Sequence, residues 1–336
     1  MLKTQIRLTI TFILLTSLNL TGCQSTSVQA EKTVIANNLI TAYDYQLLNT
    51  QWQTITLKQL TQELSKTDVI FIGEYHGNHA SHLLQTQLFT LMHQQHPKLV
   101  LSMEMFNRNQ QAKLNEYLDG IIGEQTLIDQ APAWNNYKAS YRPSVEFAKQ
   151  NQLPVIAANA SAELIRCIGT QGKNYLTKLN SEEKQWLAQK PFAEIANYRS
   201  EFFKLMGQAK HAKGSKTLNN MYLAQIARDN TMAESITKAL KQNPNHKVIH
   251  LNGSFHSKNH LGTAGALERL NPQLNIKVIT PIDVNDLPQL STQQNLTDNY
   301  YYAVKPQPTD YVQEKNRNKA YKIMFEKSQQ KAKTCK

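Results

Sequence analysis

The sequence predicts an α/β fold in which a mainly parallel sheet of about four to six strands is flanked by helices. Short apolar runs such as Val69-Ile70-Phe71-Ile72 have the composition of strands that are buried on both faces. Residues at helical spacing follow these runs, as expected where helical crossovers connect parallel strands. Residues 161–243 show helical spacing and no strand pattern, which predicts an all-helical insertion within the sheet.

Five apolar runs give the predicted strands in chain order: residues 68–72, 99–104, 155–159, 247–251 and 276–280. Gly73 ends the first strand, Pro97 stops the helix that follows it, and Pro281 ends the fifth strand. The helical insertion therefore separates the third strand from the fourth. An extended lead-in is expected before residue 57, and the run Tyr300-Tyr301-Tyr302 indicates a late strand piece.

The N-terminus has the pattern of a bacterial lipoprotein signal. Lys3 and Arg7 precede a short apolar region, residues 8–20, which ends in small residues before Cys23. We expect residues 1–22 to be cleaved and Cys23 to be lipidated, with residues 23–40 as a tether. Gln24 does not give the inner-membrane retention signal of an Asp, so the outer membrane is expected. The α/β domain then covers residues 41–312, and residues 313–336 form a basic tail.

The chain is basic, with 37 Lys and Arg against 25 Asp and Glu. Loss of Lys3 and Arg7 with the signal would leave 35 against 25, a formal charge of +10. Nucleic acid, an anionic lipid surface and an acidic ligand could each explain such a charge. Nucleic acid is not expected, because the chain has an export signal and no recognisable nucleic-acid-binding motif. The scattered C-terminal lysines indicate a solvated basic face.

Two further cysteines, Cys167 and Cys335, follow Cys23. In an oxidising compartment they could form a disulfide that ties the tail to the domain. Equally, Cys167 could be a buried helical thiol and Cys335 part of a frayed end. Their spacing is not that of a zinc site.

Polar residues follow three of the predicted strands. Glu74 and His76 come after the first, Glu104 after the second and His256 after the fourth. Parallel strands bring their carboxyl ends to one edge of the sheet, so these side chains are expected to meet there. His76, Glu104 and His256 could hold a divalent metal. All four could instead serve acid–base hydrolysis, or they could only hydrogen-bond the loops together.

Six short motifs follow one another in a recognisable order. They are Gly73-Glu74-Tyr75-His76-Gly77-Asn78 with His82, Glu104-Met105-Phe106 with Arg108 and Gln111, Tyr141-Arg142-Pro143, residues 153–159, Asp229 with Met232-Ala233, and Gly253-Ser254-Phe255-His256 with Gly262. In this order the motifs resemble those of the ChaN-type haem-binding uptake lipoproteins, whose wider relatives are the TIKI- and erythromycin-esterase-like proteins. The resemblance covers about residues 65–285.

The resemblance implies haem capture for iron uptake in the ChaN branch and hydrolysis in the wider relatives. A lipid-anchored haem-binding protein is therefore expected, and a metal-dependent hydrolase that uses Glu74, His76, Glu104 and His256 is the alternative. A binding protein is favoured over an enzyme. An outer-membrane haem receptor and a second copy of the chain are candidate partners.

Haem requires an apolar slot, cations for its propionates and an axial ligand for its iron. The sequence lacks Cys-x-x-Cys-His, so any haem is expected to be bound non-covalently. Ferric iron favours an anionic phenolate, and Tyr141 lies beside Arg142 in the family-like Tyr-Arg-Pro segment. Tyr198 with Arg199 is the second candidate pair.

Overall fold

The computed structural model describes residues 39–132, 134–207, 216–292 and 297–335. The expected signal peptide, Cys23 and nearly all of the tether lie outside these residues. Across the described ranges, no helix combines the length and apolar character needed to cross a membrane.

A seven-stranded sheet forms the centre of the fold. Its strands are β1 (Tyr45–Asn49), β2 (Val69–Glu74), β3 (Leu99–Asn107), β4 (Val155–Asn159), β5 (Lys247–Gly253), β6 (Ile276–Asp283) and β7 (Tyr300–Val304). The order across the sheet is β1-β7-β6-β2-β5-β3-β4. All neighbours are parallel except β1 and β7, which are antiparallel. The predicted α/β class and mainly parallel sheet are confirmed, with one strand more than the predicted range.

The strand end predicted at Pro281 is wrong, because β6 continues through this residue to Asp283. β6 pairs with β2 only as far as Ile279, and beyond that residue it pairs with β7 alone. Proline lacks a backbone N–H and is tolerated where one side of a strand has no partner. Pro281 therefore lies inside a strand, in a segment that has a single neighbour.

Helices cover both faces of the sheet. In chain order they are α1 (Leu57–Glu63), α2 (His79–Gln95), α3 (Gln111–Leu118), α4 (Glu124–Gln130), α5 (Tyr137–Ser140), α6 (Arg142–Gln150), α7 (Ala162–Gln171), α8 (Ser181–Gln185), α9 (Tyr198–Gly207), α10 (Lys216–Gln242), α11 (Gly262–Leu270), α12 (Leu287–Leu290) and α13 (Glu314–Ala332). Residues of α2, α3 and α6 enter one buried apolar cluster, and residues of α9, α10 and α11 enter another. The predicted helical insertion is confirmed as α7 to α10, between β4 and β5.

An irregularity in β3 shapes its carboxyl end. Met103 pairs with Ala157 of β4, but the next pair is Asn107 with Asn159. Four steps along β3 are thus matched by two along β4, and such a bulge bends a strand and redirects its side chains. Glu104 lies in this bulge, beside the end of β5.

The C-terminal helix α13 is joined to the domain by a disulfide between Cys167 and Cys335, whose Cα atoms are 5.4 Å apart. Cys167 is buried in α7, within a small apolar cluster that also includes Cys335. Most described side chains of α13 are exposed, among them Tyr321 and Met324. The crosslink is therefore a principal attachment of a helix that buries little surface.

We expect reduction of this disulfide, or the change Cys335→Ser, to loosen α13 while the sheet remains folded. A helix with little buried surface opens locally, and opening exposes its many lysines to trypsin. Limited proteolysis followed by mass spectrometry would show faster cleavage within α13 than in the oxidised chain. Equal cleavage rates would show that packing alone holds the helix.

Candidate functional site at the carboxyl ends of the strands

Side chains from β2, β3 and the loop after β5 meet at one edge of the sheet, as the sequence predicted for Glu74, His76, Glu104 and His256. The central order β2-β5-β3 makes these three strand ends neighbours. Glu74 and Glu104 are 1% and 3% exposed, and His256 is 7% exposed. Only the His76 side chain, 52% exposed, opens widely to solvent. The charged groups thus lie beneath a solvent-facing imidazole.

His256 lies between two carboxylates. Its Nε2 is 3.3 Å from Oε1 of Glu104, and its Nδ1 is 2.6 Å from Oδ1 of Asp229. The Gly253 N–H donates to the second oxygen of Glu104 (2.7 Å), and the Thr263 hydroxyl donates to Asp229 (2.8 Å). The chain Glu104–His256–Asp229 therefore links β3, the loop after β5 and α10.

These contacts favour the charged forms of Glu104 and His256. Burial alone would lower the pKa of His256, but the Glu104 and Asp229 carboxylates outweigh it and raise this pKa to about 10. Burial alone would raise the pKa of Glu104, but the His256 charge and hydrogen bond lower it to about 2. At neutral pH His256 is an imidazolium, and neither ring nitrogen has a free lone pair.

Glu74 has its own set of partners on the other side of the edge. Its Oε1 accepts the Tyr141 hydroxyl (2.6 Å) and faces Nδ1 of His76 (2.9 Å). Its Oε2 accepts from the Gln85 amide (2.8 Å), and Nδ1 of His82 lies 3.4 Å away. Glu74 is thus a buried acceptor whose environment is built from β2, α2 and the residue that precedes α6.

His76 covers this edge and lies directly over Gly253. A Cβ atom at Gly253 would come within 2.5 Å of the His76 ring, so only glycine permits this packing. On its other side the His76 ring meets Trp134 edge-on, with centroids 4.7 Å apart. Burial alone would lower the pKa of His76, but Glu74 outweighs it and raises this pKa.

The two tyrosines predicted as iron ligands reach the edge from opposite faces of the sheet. Tyr141 is fully buried in the cluster of α2 and α6, with its hydroxyl on Glu74. Tyr198 is fully buried against α10, and its hydroxyl accepts from Gln225 (3.0 Å). Burial, together with Glu74 or Asp229, raises the pKa of each phenol well above its usual value. Ligation of iron by either tyrosine stays a prediction.

The arginines beside these tyrosines are engaged elsewhere. Arg142 forms a two-point ion pair with Glu124. Arg199 lies over the rings of Phe203 and Tyr222, 4.8 Å from each centroid, and donates to Asn219. Their predicted role with haem propionates likewise stays a prediction.

Sequence reasoning did not assign a role in the site to Asp229, Gln85 or Tyr43. Asp229 belongs to one of the six family-like motifs, but a single acid in a long helix has no local pattern that marks it as a partner of His256. Tyr43 precedes β1 and is 57% exposed, with its ring stacked on His79 at 5.1 Å. Its position beside the start of α2 depends on the β1–β7 pairing, which the sequence indicated only weakly.

The predicted metal site of His76, Glu104 and His256 is not supported. Within the described ranges, no three His, Cys, Asp or Glu side chains are arranged to hold a metal ion. The physical reason is that Glu104 and Asp229 occupy both nitrogens of His256. What the arrangement offers chemically is a fixed buried charge network with an imidazole, His76, at its surface.

We expect the free energy of unfolding to fall as pH rises from about 6.5 to 10, because the folded chain keeps the His256 proton that the unfolded chain releases. One such proton changes stability by up to about 1.4 kcal/mol per pH unit. His256→Gln should reduce this slope, and the partly exposed control His246→Gln should retain it, in urea unfolding followed by circular dichroism. An unchanged slope in His256→Gln would show that His256 is not the group that holds the proton.

Comparison with known proteins identifies a family. The model of the family described as "Haem-binding uptake, Tiki superfamily, ChaN" matches residues 60–267. The structure reported as "Cofacial heme binding to ChaN of Campylobacter jejuni" is 19% identical, with a TM-score of 0.59, covering 78% of this chain and 98% of that one. This similarity shows a common fold.

More distant structures also match. An erythromycin esterase in its open conformation is 10% identical, with a TM-score of 0.41, covering 82% of this chain and 86% of that one. A succinoglycan biosynthesis protein is 13% identical, with a TM-score of 0.42, covering 68% and 69%. No curated protein matches the sequence. Since the family model spans more than half of the chain, the protein belongs to the ChaN family of haem-binding uptake proteins in the Tiki superfamily.

Proposed function

We propose that this protein is a lipid-anchored haem-binding protein of the bacterial outer membrane that takes part in haem and iron uptake. The observation that carries the proposal is membership of the haem-binding uptake family over residues 60–267. The signal-like N-terminus with Cys23 supports the anchor and the location. An outer-membrane haem receptor would be the natural donor or acceptor of the haem.

Residues on and beside the segment that joins β2 to α2 fit haem chemically. We call Tyr43, His76, His79, Trp134 and Lys305 the rim. Four of them are aromatic or imidazole rings, arranged as the stacked pair Tyr43–His79 and the edge-on pair His76–Trp134. Such rings can flank a macrocycle, and a phenol or imidazole can ligate its iron. Lys305 donates a hydrogen bond to the carbonyl of Ile40 (2.9 Å). Its ammonium group could pair with a haem propionate.

Among Tyr43, Tyr141 and Tyr198, we favour Tyr43 as the iron ligand. The Tyr141 and Tyr198 side chains are fully buried, so iron could reach either hydroxyl only after rearrangement of the surrounding side chains. The Tyr43 ring is 57% exposed and needs no such change. The proposal therefore assigns the iron to Tyr43, with Tyr141 and Tyr198 as the sequence-based alternatives.

A haem held by these residues could also contact a second molecule. The reported ChaN structure from Campylobacter jejuni describes cofacial haem binding. By analogy, a second haem or a second copy of the chain could meet the first haem here, which agrees with a second copy as the candidate partner named from the sequence.

Haemin titration of the purified Cys23→Ala chain should give a saturable Soret band that EDTA does not change. Haem carries its own iron, so a chelator of divalent metals has no effect on it. Absorbance would give the stoichiometry, and sedimentation velocity would give the oligomeric state at each haemin ratio. A chain that shows no saturable band would contradict haem binding.

The three tyrosine candidates can be separated by removal of one oxygen each. We expect Tyr43→Phe to abolish the ferric-phenolate absorption and to weaken haemin binding about tenfold or more, because the axial bond is lost. Tyr141→Phe, Tyr198→Phe and the exposed control Tyr321→Phe should retain both. Loss of the spectrum in Tyr141→Phe, with Tyr43→Phe unchanged, would restore the sequence-based assignment.

The lipid anchor is tested in cells. Cys23→Ala should move the protein from the membrane fraction to the soluble fraction and abolish fatty-acid labelling, because acyl burial provides the attachment. The control Cys335→Ser should remain labelled and membrane-bound. Continued labelling of Cys23→Ala would reject Cys23 as the lipidated residue.

A further inference from the structure

The outer edge of β4 is closed by a side chain and not by another strand. β4 is the last strand of the sheet. The Gln111 amide donates to the carbonyl of Val155 (2.9 Å) and accepts from the N–H of Ala157 (2.7 Å). The carbonyl of Val155 and the N–H of Ala157 lie on either side of Ile156 in the sequence. In a parallel sheet, the N–H and C=O of one residue on a neighbouring strand bond to such a pair of groups. Gln111 therefore takes the place of one residue of a missing strand.

Gln111 hydrogen-bonds only two of the four outward backbone groups of Val155 and Ala157. The N–H and C=O groups of alternate strand residues point to the same edge. The N–H of Val155 and the carbonyl of Ala157 therefore also point away from β3. With Gln111 in place, both residues are only 2% exposed. A ligand that pairs with this edge must first displace the Gln111 side chain, which is held by one further hydrogen bond to Asn115 (2.8 Å).

A cleft of about 850 Å³ runs along this edge, and β4 forms part of its wall. On one side α3 contributes Gln111 and Asn115, and on the other α10 contributes Ser235 and Lys238. This volume falls within the usual range for ligand-binding clefts, roughly 300–1,000 Å³. A capping side chain is enough to protect a strand edge from unwanted pairing. Protection alone therefore does not explain a cleft of this size.

We propose that this cleft, which we call the edge cleft, binds an extended segment of a partner polypeptide that adds to the sheet beside β4 in place of Gln111. A peptide backbone supplies alternating donors and acceptors at the spacing that this edge presents. Side chains of the segment would then alternate between the α3 side and the α10 side of the cleft. The site is separate from the haem rim and independent of the proposed function.

The shape of the edge cleft favours a single extended segment over a second copy of this chain. Each copy has its β4 edge between its own α3 and α10. Two such edges could pair only if the four helices were moved aside, because backbone hydrogen bonds need strands about 4.8 Å apart. A lone segment carries no flanking helices and meets no such obstacle.

The test uses the full chain and two peptides. The probe is a fluorescein-labelled peptide of alternating threonine and valine, about seven residues long, because β-branched residues favour strands of this length. The control peptide has the same sequence with an N-methyl group on every residue, which removes the N–H donors from both of its edges. Fluorescence anisotropy measures the binding of both peptides.

We expect the probe to bind saturably to the parent chain and about tenfold more tightly to Gln111→Ala, because the side chain no longer competes for Val155 and Ala157. Gln111→Asn, with an amide one methylene shorter, should behave similarly and serves if Gln111→Ala does not fold. The matched control Gln125→Ala changes an exposed helical glutamine away from the cleft and should bind as the parent does. The N-methylated peptide should fail to bind.

Three results would overturn the proposal. They are no saturable binding to the parent or the Gln111 variants, equal binding of the N-methylated peptide, and no gain in affinity in folded Gln111 variants. Dimerisation of Gln111→Ala in sedimentation velocity, without peptide binding, would instead assign the edge to a second copy of the chain.

Discussion

The arrangement of the strand ends depends on the carboxylate of Glu104. One oxygen accepts the N–H of Gly253, and the other lies against the His256 imidazolium. These two contacts join β3 to the end of β5 and, through Asp229, to α10. A buried charge with one partner removed typically costs about 3–5 kcal/mol, so each member of this network holds the others in place. The β3 bulge is the local feature that aims Glu104 at this position.

The same network determines the role of His256. A charged His256 with two carboxylate partners is a structural tie and a poor candidate for a metal ligand or a general base. His76 differs, because it keeps half of its side chain in solvent while its pKa is raised by Glu74. Chemistry at this edge would therefore begin at His76, with Glu74 and Tyr141 behind it.

The sequence predicted the buried part of the fold well and its margins poorly. The strands now seen as β2, β3, β4 and β5 were marked by apolar runs, since burial on both faces demands them. β1 mixes polar and apolar residues, and its pairing with β7 joins residues about 260 positions apart in sequence, such as Tyr45 and Val304. No local pattern records such a contact. Pro281 shows the same limit, because its tolerance depends on the neighbour that β6 lacks.

The candidate site divides in the same way. Strand-end residues such as Glu74 and Glu104 could be predicted because parallel topology brings them together. The burial of Tyr141 could not, since a tyrosine in a Tyr-Arg-Pro segment is compatible with either an inner or an outer position. The Cys167–Cys335 pair was left open for a related reason: composition shows that two thiols exist, and only the fold brings their Cα atoms to 5.4 Å.

The sandwiched imidazolium also gives the site a natural spectroscopic reporter. Both N–H protons of His256 are held by carboxylates in a residue that is 7% exposed, so their exchange with water requires the strand ends to open. Such protons exchange slowly and resonate far downfield of ordinary amides. The exchange lifetimes of these two protons would therefore report how often this edge of the sheet opens, without any added label.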